Sequence, residues 1–188
     1  MTKEIKEIAR YLRIPTDIPD QTKATILEML TISNELSPQK KVAFFDMEKT
    51  DNGIKLSGTY LTLEGKLANK HFCASKKIVV ILATLGMQSE LLLKEYFAKN
   101  AEKAVVLDAC LTVKIEKYLD EIEKDFKSKG LDITTRISCG YGDLKLEYQK
   151  DLLNFLDGKK IGVFQNESYM LTPNKSVIAL IGVKNETN

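Results

Sequence analysis

Histidine and cysteine are scarce in this chain of 188 residues, and their scarcity excludes several kinds of active site. The single histidine, His71, cannot form a multi-histidine metal site, and a Ser/His or Cys/His hydrolase would have to depend on it alone. Cys73, Cys110 and Cys139 are widely spaced, with no CxxC pair. This spacing predicts reduced thiols and a cytoplasmic protein. We interpret His71 itself as a partly buried side chain near a helix end.

Long apolar runs and blocks of one charge are also missing. The longest apolar run, IVVILATLG from Ile78, is too short to cross a bilayer, and the charged N-terminus MTKEIKEIARYLRIP is not typical of a signal peptide. Lysine and arginine together number 28 against 26 aspartates and glutamates, and the two signs interleave. We therefore expect neither a membrane nor a nucleic acid as a partner.

The overall composition is typical of a globular protein. Hydrophobic residues make up 44% and charged residues 29% of the sequence, and 188 residues are enough to bury a substantial core. We expect a single domain over residues 1–188, with an N-terminal helical portion over about residues 1–40.

Hydrophobic periodicity predicts a mixture of helices and strands. Helical spacing marks residues 3–13, a second helix for which Asp20 is the expected cap, and long stretches within residues 87–129. Two extended pieces flank Asp51-Asn52-Gly53, which is typical of a hairpin turn, and KKIVVILATLG predicts a buried strand. LDITTRIS and the C-terminal segment, with a turn at Thr172-Pro173-Asn174, predict further strands. We therefore predict an α+β fold in which a mostly antiparallel sheet is flanked by helices.

The least ordinary stretch of the sequence is RISCGYGD, which begins at Arg136. The Arg136 side chain offers a planar fork that suits a carboxylate. Gly140 and Gly142 lack side chains, so a ligand can approach the backbone directly. Tyr141 adds an aromatic face and a hydroxyl, and we expect Asp143 to cap the helix that follows. Together these residues predict a small pocket for a zwitterionic or carboxylate-bearing molecule.

A structural alternative explains the same stretch. Gly140 and Gly142 are also typical of a strand-to-helix turn, in which case Arg136 pairs with a surface acid. The glycine spacing is not that of a dinucleotide or phosphate-binding loop. We interpret the charge-rich segment KIEKYLDEIEKDFKSKG as the solvated side of an amphipathic helix. Cys139 is interpreted as a small tolerated residue, with a reactive thiol as the alternative.

Two separated segments resemble the activation (reactivation) domain of cobalamin-dependent methionine synthase, and more closely the short free-standing proteins related to that domain. Arg136, Gly140 and Tyr141 match the family pattern Arg-x-Ala-Pro-Gly-Tyr. The segment IGVFQNESYMLTPNKSVIALIGV resembles the family's Gly-x-x-Leu-Thr-Glu-Ser-x-x-Met-x-Pro followed by a serine. Its matches in order and spacing are Gly162, Glu167, Ser168, Pro173 and Ser176, with Met170 one place early. The resemblance extends over the C-terminal part of the chain from ATLGMQSELLLKEY onward.

The resemblance implies an S-adenosylmethionine site along RISCGYGD. By position, Arg136 would bind the ligand's carboxylate, the backbone at Ser138 would contact the ligand, and Tyr141 would lie near the sulfonium. Gly140 and Gly142 complete this segment of the site. In the second segment, Glu167 and Ser168 are candidate polar contacts, with strand residues facing water as the alternative.

The sequence also departs from the family pattern. Cys139 stands where the family has proline, and Gln165 and Asn166 replace Leu-Thr before the glutamate. The family's N-terminal aspartate, which contacts the ligand, has only Asp17 and Asp46 as candidates here. These departures affect the expected ligand site more than the expected fold.

The function that the resemblance implies is the rescue of an oxidised corrinoid. Cob(II)alamin takes one electron from a flavodoxin- or ferredoxin-type protein and a methyl group from S-adenosylmethionine. The domain's part is to position S-adenosylmethionine, the methyl donor. The corrinoid-anchoring signature Asp-x-His-x-x-Gly is absent around His71, since Asn69 and Ala74 occupy the aspartate and glycine positions. We therefore expect cobalamin only through a partner, a corrinoid-binding methionine synthase or methyltransferase core. The chain would be a component or activator rather than a complete enzyme.

Two other functions stay open. The first is a non-catalytic module that docks on a corrinoid protein and has lost S-adenosylmethionine binding. The second is a self-sufficient S-adenosylmethionine methyltransferase, for which the sequence lacks a glycine-rich loop after an N-terminal strand.

Overall fold

A computed structural model describes residues 2–15 and 17–186 of the chain. The helices are α1 (Lys3–Tyr11), α2 (Asp20–Asn34), α3 (Lys66–His71), α4 (Met87–Lys99), α5 (Ala101–Ser128) and α6 (Tyr148–Phe155), with a 3₁₀ helix at Gly158–Ile161. The strands are β1 (Gln39–Thr50), β2 (Gly53–Leu56), β3 (Thr62–Glu64), β4 (Lys77–Thr84), β5 (Leu131–Ile133), β6 (Phe164–Gln165), β7 (Leu171–Thr172) and β8 (Ser176–Glu186). No helix within the described ranges has the length and apolarity needed to span a membrane.

The strands form one large sheet and one small one. Within the described residues the large sheet has six strands in the order β3-β2-β1-β4-β8-β5, and β6 pairs with β7 in a separate ribbon. Every strand pairing among these residues is antiparallel. The predicted α+β fold with a mostly antiparallel sheet flanked by helices is thus confirmed.

β4 lies at the centre of the sheet and separates two apolar layers. Its side chains alternate between the faces, and residues 78–84 are all buried, as the apolar run predicts. Val79, Ile81 and Ala83 pack in a cluster with α1, α2, α4 and α5. Ile78, Val80 and Leu82 pack on the other face with α3, α6 and the segment around Leu144.

Local signals account for several element boundaries. Thr50 pairs with Gly53, so Asp51 and Asn52 form the tip of the predicted β1–β2 hairpin. The side chain of Asn100 accepts a hydrogen bond from the Lys103 N–H at 3.0 Å, which begins α5 directly after α4.

Three local predictions are wrong. Asp20 is the first residue of α2 rather than its cap, since Pro19 occupies the cap position without a side-chain hydrogen bond. The strand predicted over LDITTRIS ends at Ile133, and only a single bridge from Ile137 to Leu180 continues it. The helix after RISCGYGD begins at Tyr148, because the preceding residues form turns.

Candidate functional site

The side chain of Arg136 is turned toward α5 by the sheet. Ile137 pairs with Leu180 of β8, and its side chain packs in the apolar layer that contains α3 and α6. Successive side chains of an extended chain point to opposite faces, so Arg136 points toward the layer of α1 and α5. A shift of this pairing by one residue would turn the guanidinium to the opposite face of the sheet, toward different helices.

Three carboxylates of α5 surround the Arg136 guanidinium. Nη2 donates to Oε2 of Glu116 at 2.7 Å, Nη1 donates to Oδ1 of Asp120 at 2.7 Å, and Nη1 also donates to Glu123. The acids are spaced so that they lie on one side of the helix. Burial lowers the pKa of the Arg136 guanidinium, but the hydrogen bonds to Glu123, Glu116 and Asp120 outweigh it and the net pKa is raised. The group is a fixed cation inside an acidic cluster.

A groove of about 550 Å³ lies between α1 and α5, with Arg136 in its wall. Its lining residues are Thr2, Lys3, Glu4, Glu7, Arg10, Tyr11, Val113, Glu116, Lys117, Asp120, Glu121, Lys124 and Arg136. Five of these side chains are acidic and five are basic, so the groove offers partners for both ends of a zwitterion. Tyr11 is 44% exposed and lines this groove, and the Arg10 guanidinium lies over its ring at 4.9 Å from the ring centroid.

The other residues of RISCGYGD form a tight turn outside this groove. The Ser138 carbonyl accepts a hydrogen bond from the Tyr141 N–H at 3.3 Å, and the Gly140 N–H donates to the Leu144 carbonyl at 2.7 Å. Gly140 and Gly142 have φ values of 90° and 56°, which glycine adopts without strain. This backbone is the turn that the structural alternative describes, although a turn of this kind does not exclude a ligand.

Tyr141 and Cys139 leave that turn in opposite directions. The Tyr141 side chain is 67% exposed and is not among the groove's lining residues. Cys139 is buried in the layer that contains α6, and this burial raises the pKa of its thiol to about 12. Cys139 is therefore an inert small residue rather than a reactive thiol.

Asp143 caps a different helix from the predicted one. Its carboxylate accepts hydrogen bonds from the Lys66 N–H at 2.6 Å and the Leu67 N–H at 2.9 Å, so it caps α3 rather than α6. The N–H donors of Leu67 and Lys66 lower the pKa of the Asp143 carboxyl. A Cβ on Gly65 would lie 2.9 Å from Cγ of Asp143, so only glycine permits this approach.

Glu167 and Ser168 lie at the tip of the β6–β7 hairpin. The Ser168 N–H donates to the Asn166 side chain at 3.0 Å, and both Glu167 and Ser168 are exposed. Glu167 lines a second groove, of about 600 Å³, together with Lys150 of α6 and other residues of the hairpin. Of the seven residues predicted to bind the cofactor, only Arg136 lines the groove between α1 and α5 in the described part of the chain.

His71 occupies the position expected from the sequence. It is the last residue of α3, is partly buried, and has Nε2 at 2.8 Å from the Thr135 carbonyl. The structural interpretation of His71 is confirmed.

The sequence-based prediction of the site did not include the acids of α5. Glu116, Asp120 and Glu123 lie in the segment interpreted as a solvated helix side. Their i, i+4, i+7 spacing is a usable signal, because it places three carboxylates along one stripe of a helix. What the sequence does not give is the long-range approach of Arg136 to that stripe.

Comparison with known proteins supports the fold. No family model matches the chain, and no curated protein matches it. Among solved structures, a crystal structure of the MetH reactivation domain bound to AdoHcy matches with a TM-score of 0.67 and 14% sequence identity. The match covers 95% of this chain and 70% of that one. The chain has the fold of a methionine synthase reactivation domain. The predicted resemblance to that domain is therefore confirmed at the level of the fold.

Proposed function

We propose that this chain is an accessory protein that binds S-adenosylmethionine and supports reductive methylation of cob(II)alamin on a partner protein. The observation that carries the proposal is Arg136 in the wall of a mixed-charge groove, on the fold of a domain whose solved relative is bound to AdoHcy. The partner would be a corrinoid-binding methionine synthase or methyltransferase core. We propose that both act in the cytoplasm, which suits the three free thiols.

The charges of the groove fit the charges of this ligand. S-Adenosylmethionine carries a carboxylate, an ammonium and a sulfonium within a few bonds of one another. Arg136 offers the fork for the carboxylate, while Glu116 and Asp120 offer acceptors for the two cations. Tyr11 offers the part of its ring that Arg10 does not cover as a surface for the sulfonium or the adenine ring.

Binding requires Arg136 to exchange one of its own partners for the ligand. Asp120 is the natural one to release, because its side chain is 55% exposed, against 42% for Glu116 and 15% for Glu123. The released Asp120 carboxylate then accepts a hydrogen bond from the ligand's ammonium, so that neither of these two charges is left unpaired. Glu123 stays in place and keeps the guanidinium oriented.

Catalysis by this chain would consist of positioning. The corrinoid, brought by the partner, supplies the reactive metal, and a flavodoxin- or ferredoxin-type protein supplies the electron. The chain's own residues, Arg136 and the acids of α5, would hold the amino-acid end of the ligand and so direct the sulfonium methyl toward the partner. We retain Ser138, Gly140, Tyr141, Gly142, Glu167 and Ser168 as proposed contacts of the bound ligand or of the docked corrinoid carrier. The chain would then be a methyltransferase component or activator.

One observation favours a second candidate, a docking module that has lost S-adenosylmethionine binding. Arg136 already has three carboxylate partners, so a ligand must compete with them. In this candidate Arg136 only fixes α5 to the sheet, and the exposed side chains of Tyr141 and Met170 contact the corrinoid protein.

Calorimetric titration with S-adenosylmethionine separates the two candidates. We expect micromolar binding by the wild type, loss of binding in Arg136→Ala, and weakened binding in Arg136→Lys, which keeps the charge but loses the fork. Arg13→Ala, which removes an exposed arginine outside the groove lining, is the matched control and should bind as the wild type does. Absence of heat from a folded wild type would contradict the first candidate and support the second.

A further inference from the structure

β1 is longer than the strand that covers its outer side. Residues 39–46 of β1 pair with β4, whereas only residues 47–50 of β1 pair with β2. In the part of the chain that the structure describes, no strand lies beside the first half of β1 on the β2 side. This open edge, residues 40–44, contains only partly buried or exposed side chains.

Two hydrogen bonds determine which backbone groups point to the open edge. The Met47 N–H donates to the Lys76 carbonyl on the β4 side, and the Asp46 carbonyl accepts from the Ser57 N–H on the β2 side. Because backbone groups alternate along a strand, the even-numbered residues point outward. On the open edge these residues are Lys40, Val42 and Phe44. Among the described residues, their N–H and C=O groups have no hydrogen-bond partner.

The elements that pack on the two faces of the sheet do not cover this edge. The 3₁₀ helix near β1 lies on the sheet face, since a Cβ on Gly158 would lie 3.2 Å from Cδ2 of Leu82. On the other face, Phe44 contacts Phe126 of α5 edge to face, with ring centroids 5.8 Å apart, and still remains 50% exposed. Proteins usually cover, charge or interrupt an open edge of this kind, because it is a template for another strand. Here Lys40 and Lys41 carry charge, whereas Val42, Ala43 and Phe44 are apolar.

We propose that the open edge is a dimerisation surface, on which β1 of a second copy of this chain pairs antiparallel about a two-fold axis at Val42. In this register Val42 lies opposite Val42 of the second copy, and Lys40 lies opposite the second copy's Phe44. All three are outward-pointing, so each of these pairs exchanges both of its backbone hydrogen bonds. The two sheets become one continuous sheet.

In this register the charges at the edge of one copy are complementary to those at the edge of the second copy. Lys40 and Asp46 are both exposed, and Lys77 of β4 lies opposite Asp46 in the same chain. Antiparallel pairing at Val42 makes Lys40 the diagonal neighbour of the second copy's Asp46, within reach of its long side chain. The same amine lies over the exposed part of the second copy's Phe44 ring. Each dimer gains two such contacts by symmetry.

Lys41 does not oppose this pairing strongly. Its charge is near Asp157 of its own chain, whose pKa is lowered first by a hydrogen bond from Lys160 and further by Lys41. β1 also contributes no residue to the groove between α1 and α5. The dimer surface and the proposed ligand site can therefore be tested separately.

Sedimentation velocity over a range of protein concentrations tests the dimer. We expect the wild type to be dimeric, and Lys40→Glu or Asp46→Lys to raise the dimer dissociation constant at least about tenfold, because each places like charges together twice. The double variant Lys40→Glu/Asp46→Lys restores opposite charges and should return to within about threefold of the wild type. Lys70→Glu, on the exposed surface of α3, is the matched control and should leave the dissociation constant unchanged.

Hydrogen exchange identifies the surface. In the dimer, the amides of Lys40, Val42 and Phe44 should exchange slowly, and in Asp46→Lys, at a concentration where this variant is monomeric, they should exchange fast. The amides of Lys41 and Ala43, which bond to β4, should stay protected in both. A wild type that is monomeric at all concentrations, or a dimer in which the three outward amides exchange fast, would overturn the proposal.

Discussion

Arg136 Nη2 donates to Glu116 Oε2 at 2.7 Å, joining the segment after β5 to the middle of α5. The bond is one of three that α5 makes with the same guanidinium, and it connects the sheet to the helix that contributes the largest share of one apolar layer. The side chain that we propose to bind a ligand is thus also a structural connection. A test of function at Arg136 must therefore be accompanied by a measurement of stability.

We expect Arg136→Ala to destabilise the fold by about 2 kcal/mol, because it leaves three neighbouring carboxylates without their cation, one of them largely buried. Urea unfolding, followed by circular dichroism, measures the loss. The double variant Arg136→Ala/Glu123→Gln should recover part of it, since it removes the most buried of the unpaired charges. Equal stability of Arg136→Ala and the wild type would mean that the cluster contributes nothing to the fold.

Much of the fold could be predicted because its signals are local. The hairpin at Asp51-Asn52, the buried strand β4 and the break at Asn100 each depend on a few adjacent residues. Alternating and helical patterns then indicate the sheet and its flanking helices. The resemblance to the reactivation domain depended on short motifs of the same local kind.

The site was harder to predict because it depends on long-range contacts. Arg136 faces α5 only because Ile137 pairs with Leu180, and nothing near Arg136 in the sequence encodes that register. Asp143 caps α3, whose first N–H groups lie far earlier in the chain, and a glycine at position 65 permits the approach. A carboxylate before a helix pattern predicts a local cap, which is why α6 was expected as its partner.

The cap at Asp143 predicts a pH dependence. The pKa of this carboxyl is lowered in the folded state, mainly by the Leu67 and Lys66 N–H donors, so its contribution is present above the unfolded value of 3.8 and is lost as the pH falls through the folded value. Asp143→Ala should therefore be less stable than the wild type near neutral pH, and the difference should shrink in acid. Urea unfolding at neutral pH and at about pH 3 measures it. Asp17→Ala, an exposed carboxylate, is the control. A difference that does not change with pH would contradict the capping role.

Close packing at Gly182 predicts a large effect of a single methyl group. A Cβ at this position of β8 would lie 2.1 Å from Oγ of Ser75 and 3.0 Å from Cδ1 of Phe72. We expect Gly182→Ala to destabilise the fold by about 1–3 kcal/mol, measured by urea unfolding. Ser75→Gly removes the nearest atoms and should rescue part of the loss in the double variant. If Gly182→Ala is neutral, the contact between β8 and the end of α3 is looser than the distances indicate.

The buried hydroxyl of Ser75 predicts a stabilising substitution. Oγ of Ser75 is buried and has no hydrogen-bond partner in the described part of the chain. Ser75→Ala removes the unpaired group without adding volume, so we expect a gain of about 1 kcal/mol in the free energy of unfolding. Thermal unfolding of the variant and the wild type at equal concentration measures the change. A loss of stability would mean that the hydroxyl has a partner, such as a bound water.

The three thiols should differ sharply in reactivity. Burial raises the pKa of Cys139 to about 12, and burial together with the charge of Glu4 raises the pKa of Cys110 to about 12, whereas Cys73 is exposed. At about pH 8 both buried thiols are therefore protonated, and both are buried from solvent. An aromatic disulfide reagent should therefore titrate one thiol in the native protein and three after unfolding. Cys73→Ser should abolish the native reaction. Rapid reaction of folded Cys73→Ser would show that Cys139 or Cys110 is open to solvent. If Cys139 is the one that reacts, the segment around RISCGYGD would have to be more mobile than its hydrogen bonds indicate.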